Sequence, residues 1–336
     1  MSLKHKKNLK NIIYLFHHYH IMDSYMLLGF VGILREVPKM LCKNRQLMAC
    51  LTLLILSIYS IFFLSNFFSI KPLLFDIFKS GLVIATDPTT PQLAYLVIRI
   101  KQDISVFIGL EWIFILISTI TSLFFATATI ILSAVLHGGK NLSAKELLFW
   151  TIRSIKRPFY TWFYTTLFAL GYNFFFLANL LPMVLIVQNP FAVKALCIIL
   201  VILASVLYIY LAVVWILALV ISVLEEKSGI EALGKAAQLV NGMQVHGFLL
   251  NLLYTILVCV LFQGIRLIPI KQSSLFHITI GLLVVNSTRL VWMFGLMAFT
   301  VFYHQCKKTH GEEVELQVSF EYSKIANTLF LDENIP

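Results

Sequence analysis

Residues 222–242 read "SVLEEKSGIEALGKAAQLVNG", and they follow a stretch, 195–224, that carries no charged side chain. A second apolar run begins a few residues later, at 247. About 20 apolar residues suffice to cross the hydrocarbon of a bilayer, so the chain leaves a membrane at Glu225 and Glu226 and re-enters it after Gly242. Ser228 followed three residues on by Glu231 fits a capping box, in which each side chain satisfies a free amide at a helix start. Ile230, Leu233, Ala237 and Val240 then recur at three- and four-residue spacing, with Glu231, Lys235 and Gln238 opposite, the pattern of an amphipathic helix. Asn241-Gly242 supplies a stop, because glycine readily takes the left-handed conformation that ends helices. Such a helix is too short to span. It suits the headgroup layer or a cytosolic partner, and reads as an interfacial elbow built on Ser228, Glu231, Leu233 and Ala237.

Working outward, six stretches are long and apolar enough to cross: 47–70, 106–136, 159–187, 191–224, 247–268 and 275–303. The whole chain of 336 residues is 59% hydrophobic and 12% charged, with a mean hydropathy of +0.87, more apolar surface than a soluble core encloses. The fold class expected is all-α, a polytopic membrane helix bundle of about six transmembrane helices with short amphipathic interfacial helices. Residues 1–46 form a basic cytosolic segment whose part 26–46 reads as an interfacial helix stopped near Pro38. Residues 47–303 form the transmembrane domain and 304–336 a cytosolic tail. The connection 71–105 contains "ATDPTTPQ", a turn signal, and reads as an exposed loop. Gly171 and Pro182 are places where the third span can bend. Phe159, Tyr160, Trp162 and Tyr303 sit near span ends and suit aromatic belts, although packing explains each of them equally well.

Orientation follows from the cations, since short loops rich in Lys and Arg stay cytosolic. Of the 26 Lys and Arg, 18 fall in the N-terminal segment, 137–158, 225–246 and the tail after 303, and seven fall in the alternate connections. Both termini are therefore expected in the cytosol. The net charge of +10 reflects this bias and attraction to anionic lipid; the basic residues are scattered among spans, which argues against a nucleic-acid partner. "MSLKHKKNLKNIIYLFHHYH" has too short an apolar stretch for a cleavable signal, and Met22 is a second candidate start. The five cysteines lack paired spacing, so no disulfide framework is implied; Cys42 and Cys306 flank spans and are palmitoylation candidates. The sequons at Asn141 and Asn286 fall in a cytosolic loop and inside the sixth span, where neither would carry sugar.

Arg289 stands in the middle of "LFHITIGLLVVNSTRLVWMFGLMAFTVFY" (275–303). Splitting that run at the arginine leaves fragments too short to cross, so the guanidinium belongs deep in one helix, facing inward with polar partners. Asn286, Ser287 and Thr288 beside it, and Asn173 and Asn179 in the third span, are candidate partners. Glu111 is the carboxylate inside a span, near its outer end. A functional polar chamber and a structural polar clasp both fit. "HHYH" at 17–20 lacks a carboxylate or cysteine partner for a metal site. His137, His246 and His304 lie near the cytosolic boundary and His277 near the outer one, where headgroup contact accounts for them. The protease, hydrolase and phosphate-loop motifs are missing, and Glu225-Glu226 lacks the histidine-bearing helices that would complete a metal centre. No catalytic residue, cofactor or metal is indicated.

Three stretches, "LGFVGILRE" (28–36), "VVWILALVISVLEEKSGIEALGKAAQLVNG" (213–242) and "VFYHQCKKTH" (301–310), resemble a family of uncharacterised multi-span proteins of land plants. The resemblance covers about 22–310 and implies a six-span endomembrane or plasma-membrane protein without an established activity. It also implies a start near Met22 and an apolar residue where Arg289 stands. The leading functional expectation is a non-enzymatic membrane protein whose elbow and tail organise membrane lipid or a cytosolic protein partner. A transporter or channel for a small solute, using Arg289 and the polar residues of spans three and six, is the second. An intramembrane enzyme on a lipid or terpenoid, depending on Glu111 or Arg289, is the third.

Overall fold

The computed structural model describes residues 29–86, 93–140, 142–186, 190–266 and 274–312. The Met22 start, the histidines at 17–20, the turn around Asp87, the Asn141 sequon and the tail beyond 312 lie outside the described residues. Among the described residues there are nine helices and no strand. They are α1 (29–43), α2 (Arg45–Thr86), α3 (Leu93–His137), α4 (Ala144–Ser154), α5 (Lys156–Ile186), α6 (Pro190–Leu224), α7 (Gly229–Val240), α8 (Gln244–Arg266) and α9 (Ser274–Thr309).

Six of these are long and apolar enough to cross a membrane: Arg45–Thr86, Ala94–His137, Lys156–Pro182, Lys194–Leu224, Gln244–Gly264 and Leu275–Thr309. The protein is a polytopic helical bundle. "SIYSIFFLSNFFSI" (57–70) is rich in β-branched and aromatic residues, yet it lies within α2. In hydrocarbon every backbone N–H and C=O must be satisfied within the segment, and only the helix does this locally. Side-chain polar groups follow the same rule: Thr52, Ser205, Thr279 and Thr288 each donate to the carbonyl four residues back, a local bond that satisfies the hydroxyl donor within its own helix. Leu53, Ile61, Phe68, Trp112, Leu116, Phe175, Leu203 and Val260 are all exposed. A water-soluble chain would not leave that much apolar surface uncovered.

Two expectations are corrected. The connection 71–105 is not a loop: α2 continues through Pro72 to Thr86 and α3 begins at Leu93. At 1.5 Å per residue, the 42 residues of α2 and 45 of α3 make rods of about 63 and 68 Å, longer than the roughly 40–45 Å of a bilayer with its headgroups. Arg99 ties the overhanging ends, 3.6 Å from Asp76 and 4.0 Å from Asp103. Nor does α1 stop at Pro38: it continues to residue 43, with Pro38 on its exposed side, where the missing N–H leaves a carbonyl that water can reach.

The chain divides into two compact units. The first comprises Thr127–Ile256, Met293 onward and α1. Its core is formed by Ile33, Val37 and Met40 of α1, Ile130, Leu132 and Leu136 of α3, Leu217 and Ile221 of α6, and Met297, Phe299 and Phe302 of α9. Lys43 Nζ donates at 2.9 Å to the Leu136 carbonyl, which also accepts from the Gly139 N–H at 3.2 Å, closing the end of α3 with a cation. Polar bonds link neighbouring helices where side chains meet: Tyr172 to the Ala204 carbonyl, Asn251 to that of Ile209, and Tyr254 to that of Phe294. The second unit comprises Gln46–Ala126 and Leu257–Trp292, and its buried residues include Leu51, Ile55, Tyr59, Phe125 and Val284.

Candidate functional site

Two polar clusters interrupt the apolar bundle, one in each unit. In the first, Glu225 at the end of α6 is a four-way junction. One carboxylate oxygen accepts from the Tyr303 hydroxyl at 2.6 Å and lies 3.1 Å from Lys307 Nζ. The other lies 3.1 Å from Lys235 Nζ of α7. Lys235 also donates to Glu312 at 3.0 Å, and Lys307 stands 3.8 Å from the same Glu312 oxygen. Two carboxylates thus face two ammonium groups, and the cluster is neutral as a whole. Burial by itself raises the Glu225 carboxyl, but the Tyr303 hydroxyl and the Lys307 and Lys235 ammonium groups leave it below its usual value. Burial likewise works to lower Lys235, and Glu312 and Glu225 outweigh it and raise it. Arg157 of α5 closes the rim, 3.8 Å from Glu226 and donating to the Glu225 carbonyl at 3.4 Å. The ends of α5, α6 and α9 and the middle of α7 are held by one charge cluster.

The elbow helix α7 forms where the spacing predicts, and Gly242 after it takes the expected left-handed φ of 93°. Its packed face differs. Gly229, Ala232, Ala236, Leu239 and Val240 are buried, whereas Ile230 and Ala237 are exposed and Leu233 is half-buried. Small residues let α7 come close to α5 and α6, so Ala232 and Ala236 go in and Ile230 stays out. The capping box at Ser228 and Glu231 is also absent: the Ser228 side chain makes no cap bond, and Glu231 pairs with Lys227 at 3.3 Å. Gly229 instead sets the entry. Its φ is 58°, its N–H donates to Thr161 Oγ1 at 2.9 Å, and an added Cβ would come within 3.0 Å of the Tyr164 ring. The same Ser-x-x-Glu signal does form a reciprocal box elsewhere, at Ser143 and Glu146 heading α4. The sequence reading passed over α4, although "SAKE" carried that signal.

In the second unit the Arg289 guanidinium lies over the ring of Tyr59 of α2, its central carbon 3.7 Å from the ring centroid. Asn286, one turn earlier on α9, exchanges hydrogen bonds with Ser60 at 3.0 and 3.2 Å. One further contact sets the helix spacing: a Cβ on Gly281 would collide with the Phe63 ring. The contacts 63 to 281, 60 to 286 and 59 to 289 run in opposite senses, so α2 and α9 pair antiparallel. Asn173 and Asn179 do not serve as partners for the arginine; each amide donates to its own helix, to the Ala169 and Phe175 carbonyls. Thr288 likewise bonds to Val284. Glu111 makes no ion pair with Arg289, and among the described residues no carboxylate does. Placing an arginine mid-span costs about 2.5–3.5 kcal/mol on insertion scales, while a desolvated cation–π contact returns about 2 kcal/mol.

Other sequence candidates are relocated. His304 is buried, not at a headgroup surface, and its ring stacks on His137 at 4.7 Å between centroids; among the described residues its Nε2 has no hydrogen-bond partner. Cys306 is fully buried, which removes it as an acylation site, whereas Cys42 is exposed. Among the described residues no group of three or more His, Cys, Asp or Glu could hold a metal ion.

Six long apolar helices, lipid-type surfaces and two buried polar clusters define a polytopic helical membrane protein. Residues 22–322 match the family described as a domain of unknown function, DUF8558, and the chain belongs to that family. No curated protein and no solved structure matches it.

Proposed function

We propose that the protein is a non-enzymatic membrane organiser of the endomembrane system or plasma membrane, with its clasped elbow and both termini in the cytosol. The observation that carries the reading is the Glu225 junction, which holds α7 against α5, α6 and α9 while leaving Ile230, Glu231 and Ala237 outward. A helix held on one face and free on the other is a rigid ridge, and rigidity lowers the entropic cost of binding a partner. The clustering of Lys and Arg in alternate connections supports the cytosolic side. Ile230→Asp combined with Ala237→Asp alters the outward face alone. Proximity labelling from a tag on the C-terminal tail should then lose its specific neighbours while the protein stays folded and localised. Unchanged neighbours and localisation would discard the reading.

A second reading, a transporter or channel for a small solute, is favoured by Arg289, a mid-span cation that pairs with no carboxylate among the described residues. Flux into proteoliposomes that disappears with Arg289→Leu would favour it; absence of flux for every solute tried would count against it.

A further inference from the structure

We propose that Arg289, stacked on Tyr59, binds the carboxylate of a long-chain amphiphilic acid within the bundle's apolar zone. The proposal goes beyond the organiser reading and does not depend on anything being transported.

Depth comes first. Arg289 has about 20 Å of apolar helix on either side of it, between Leu275 and Phe302. An arginine near a helix end would snorkel to the surface, but here the guanidinium is drawn sideways onto α2. At 3.7 Å from its central carbon, the Tyr59 ring covers one side of the guanidinium. Its N–H donors lie in the plane of the guanidinium, they make no hydrogen bond among the described residues, and Arg289 is only half-buried. A planar cation with free edges is matched by a planar oxyanion that accepts two parallel bonds.

The platform beneath it is fixed. Tyr59 is 4% exposed and is held edge-on by Phe62 and at a tilt by Phe125. The Asn286 and Ser60 bonds and the close approach at Gly281 set the spacing of α2 and α9 on the same face. Preorganisation of this kind serves recognition; a purely structural arginine would be expected to direct its donors at a protein acceptor.

The class of anion follows from what can reach this depth. A phosphate ester stays ionised near neutral pH, and an isolated charge in hydrocarbon is heavily penalised. A carboxylic acid, with an ordinary value of about 4–5, has an accessible neutral form that enters the apolar layer. There it ionises against the guanidinium, its proton returning to the aqueous phase. The surface beside the arginine is apolar and open, with Leu283 and Trp292 exposed on α9, which suits an aliphatic tail and not a small hydrophilic acid.

The test uses the full-length protein in phosphatidylcholine nanodiscs with oleate, oleyl alcohol and dodecyl phosphate as probes. Oleate should bind at least tenfold more tightly than oleyl alcohol and than dodecyl phosphate. Arg289→Leu should weaken oleate at least tenfold while leaving oleyl alcohol unchanged, with the melting temperature of the unliganded protein held or raised. Tyr59→Phe, which keeps the ring, should retain binding. Equal binding of oleate and oleyl alcohol by the unaltered protein would overturn the proposal whatever the variants do, so misfolding of a variant cannot shelter it. Oleate binding unaffected by Arg289→Leu, or tighter binding of dodecyl phosphate, would overturn it equally.

Discussion

Two glycines of the elbow make opposite demands. Gly229 has a φ of 58°, and a Cβ there would lie 3.0 Å from the Tyr164 ring, so Gly229→Ala suffers the left-handed penalty and also presses the ring aside by a few tenths of an ångström. Gly234 is mid-helix with open space around it, and alanine there reduces the freedom of the unfolded chain. Thermal unfolding in detergent should show Gly229→Ala less stable by about 1–2 kcal/mol and Gly234→Ala more stable by about 0.4–1 kcal/mol. The two serines make a similar pair. Ser143→Ala removes a formed capping box and should lower stability by about 1 kcal/mol, whereas Ser228→Ala removes no cap bond and should leave it nearly unchanged. The motif is the same at both positions, and the difference comes from surroundings the motif does not encode: Lys227 takes Glu231, and Thr161 takes the Gly229 N–H.

At the scale of elements, the Glu225 junction joins the ends of three helices and the middle of the elbow, and it is a pH-dependent fastener with a definite sign. The folded-state value of Glu225 lies below its ordinary 4.5, so its contribution is complete above about pH 4.5 and lost as the pH falls through the lower folded value. Lys235 is raised above its ordinary 10.5; its contribution is complete below that pH and lost as the pH rises through the higher folded value. A stability profile should therefore have a plateau from about pH 5 to 10 with one descending limb on each side. Glu225→Gln leaves the half-buried Lys235 and the buried Lys307 with Glu312 as the one carboxylate of the cluster, and should cost on the order of 2 kcal/mol on the plateau, less than a fully orphaned buried charge. It should also reduce the acid limb; an acid limb identical to that of the parent protein would show that other carboxylates govern it. The elbow's existence and its stop at Asn241-Gly242 were legible because cap residues and charge punctuate an apolar chain. Its orientation was not. Hydrophobic size points to Ile230 and Leu233 as the inner face, but close helix packing selects Ala232 and Ala236 and leaves Ile230 exposed.

Across the whole molecule, length and hydropathy made the six spans legible, because hydrocarbon demands helices whatever the local propensity. The overhang of α2 and α3 was hidden: charged residues such as Lys71, Asp76 and Arg99 look like a loop to a hydropathy reading, yet Asp76 and Arg99 pair between two helices. The depth of Arg289 was readable from its apolar flanks, while Tyr59 was indistinguishable from any other span aromatic until the fold brought it beneath the guanidinium. The orientation proposed from cation bias can be tested with described residues. In a version with the five cysteines replaced, single cysteines at Lys140, Lys227 and Lys101 report sidedness through a membrane-impermeant maleimide. Lys140 and Lys227 belong to the connections after spans two and four, and Lys101 belongs to the overhang of α3. Cytosol-out vesicles should label Lys140→Cys and Lys227→Cys within minutes and label Lys101→Cys only after the membrane is opened with detergent. The reverse pattern would place the clasped elbow outside the cytosol, and the partner sought for its ridge would have to be sought in the lumen or outside the cell.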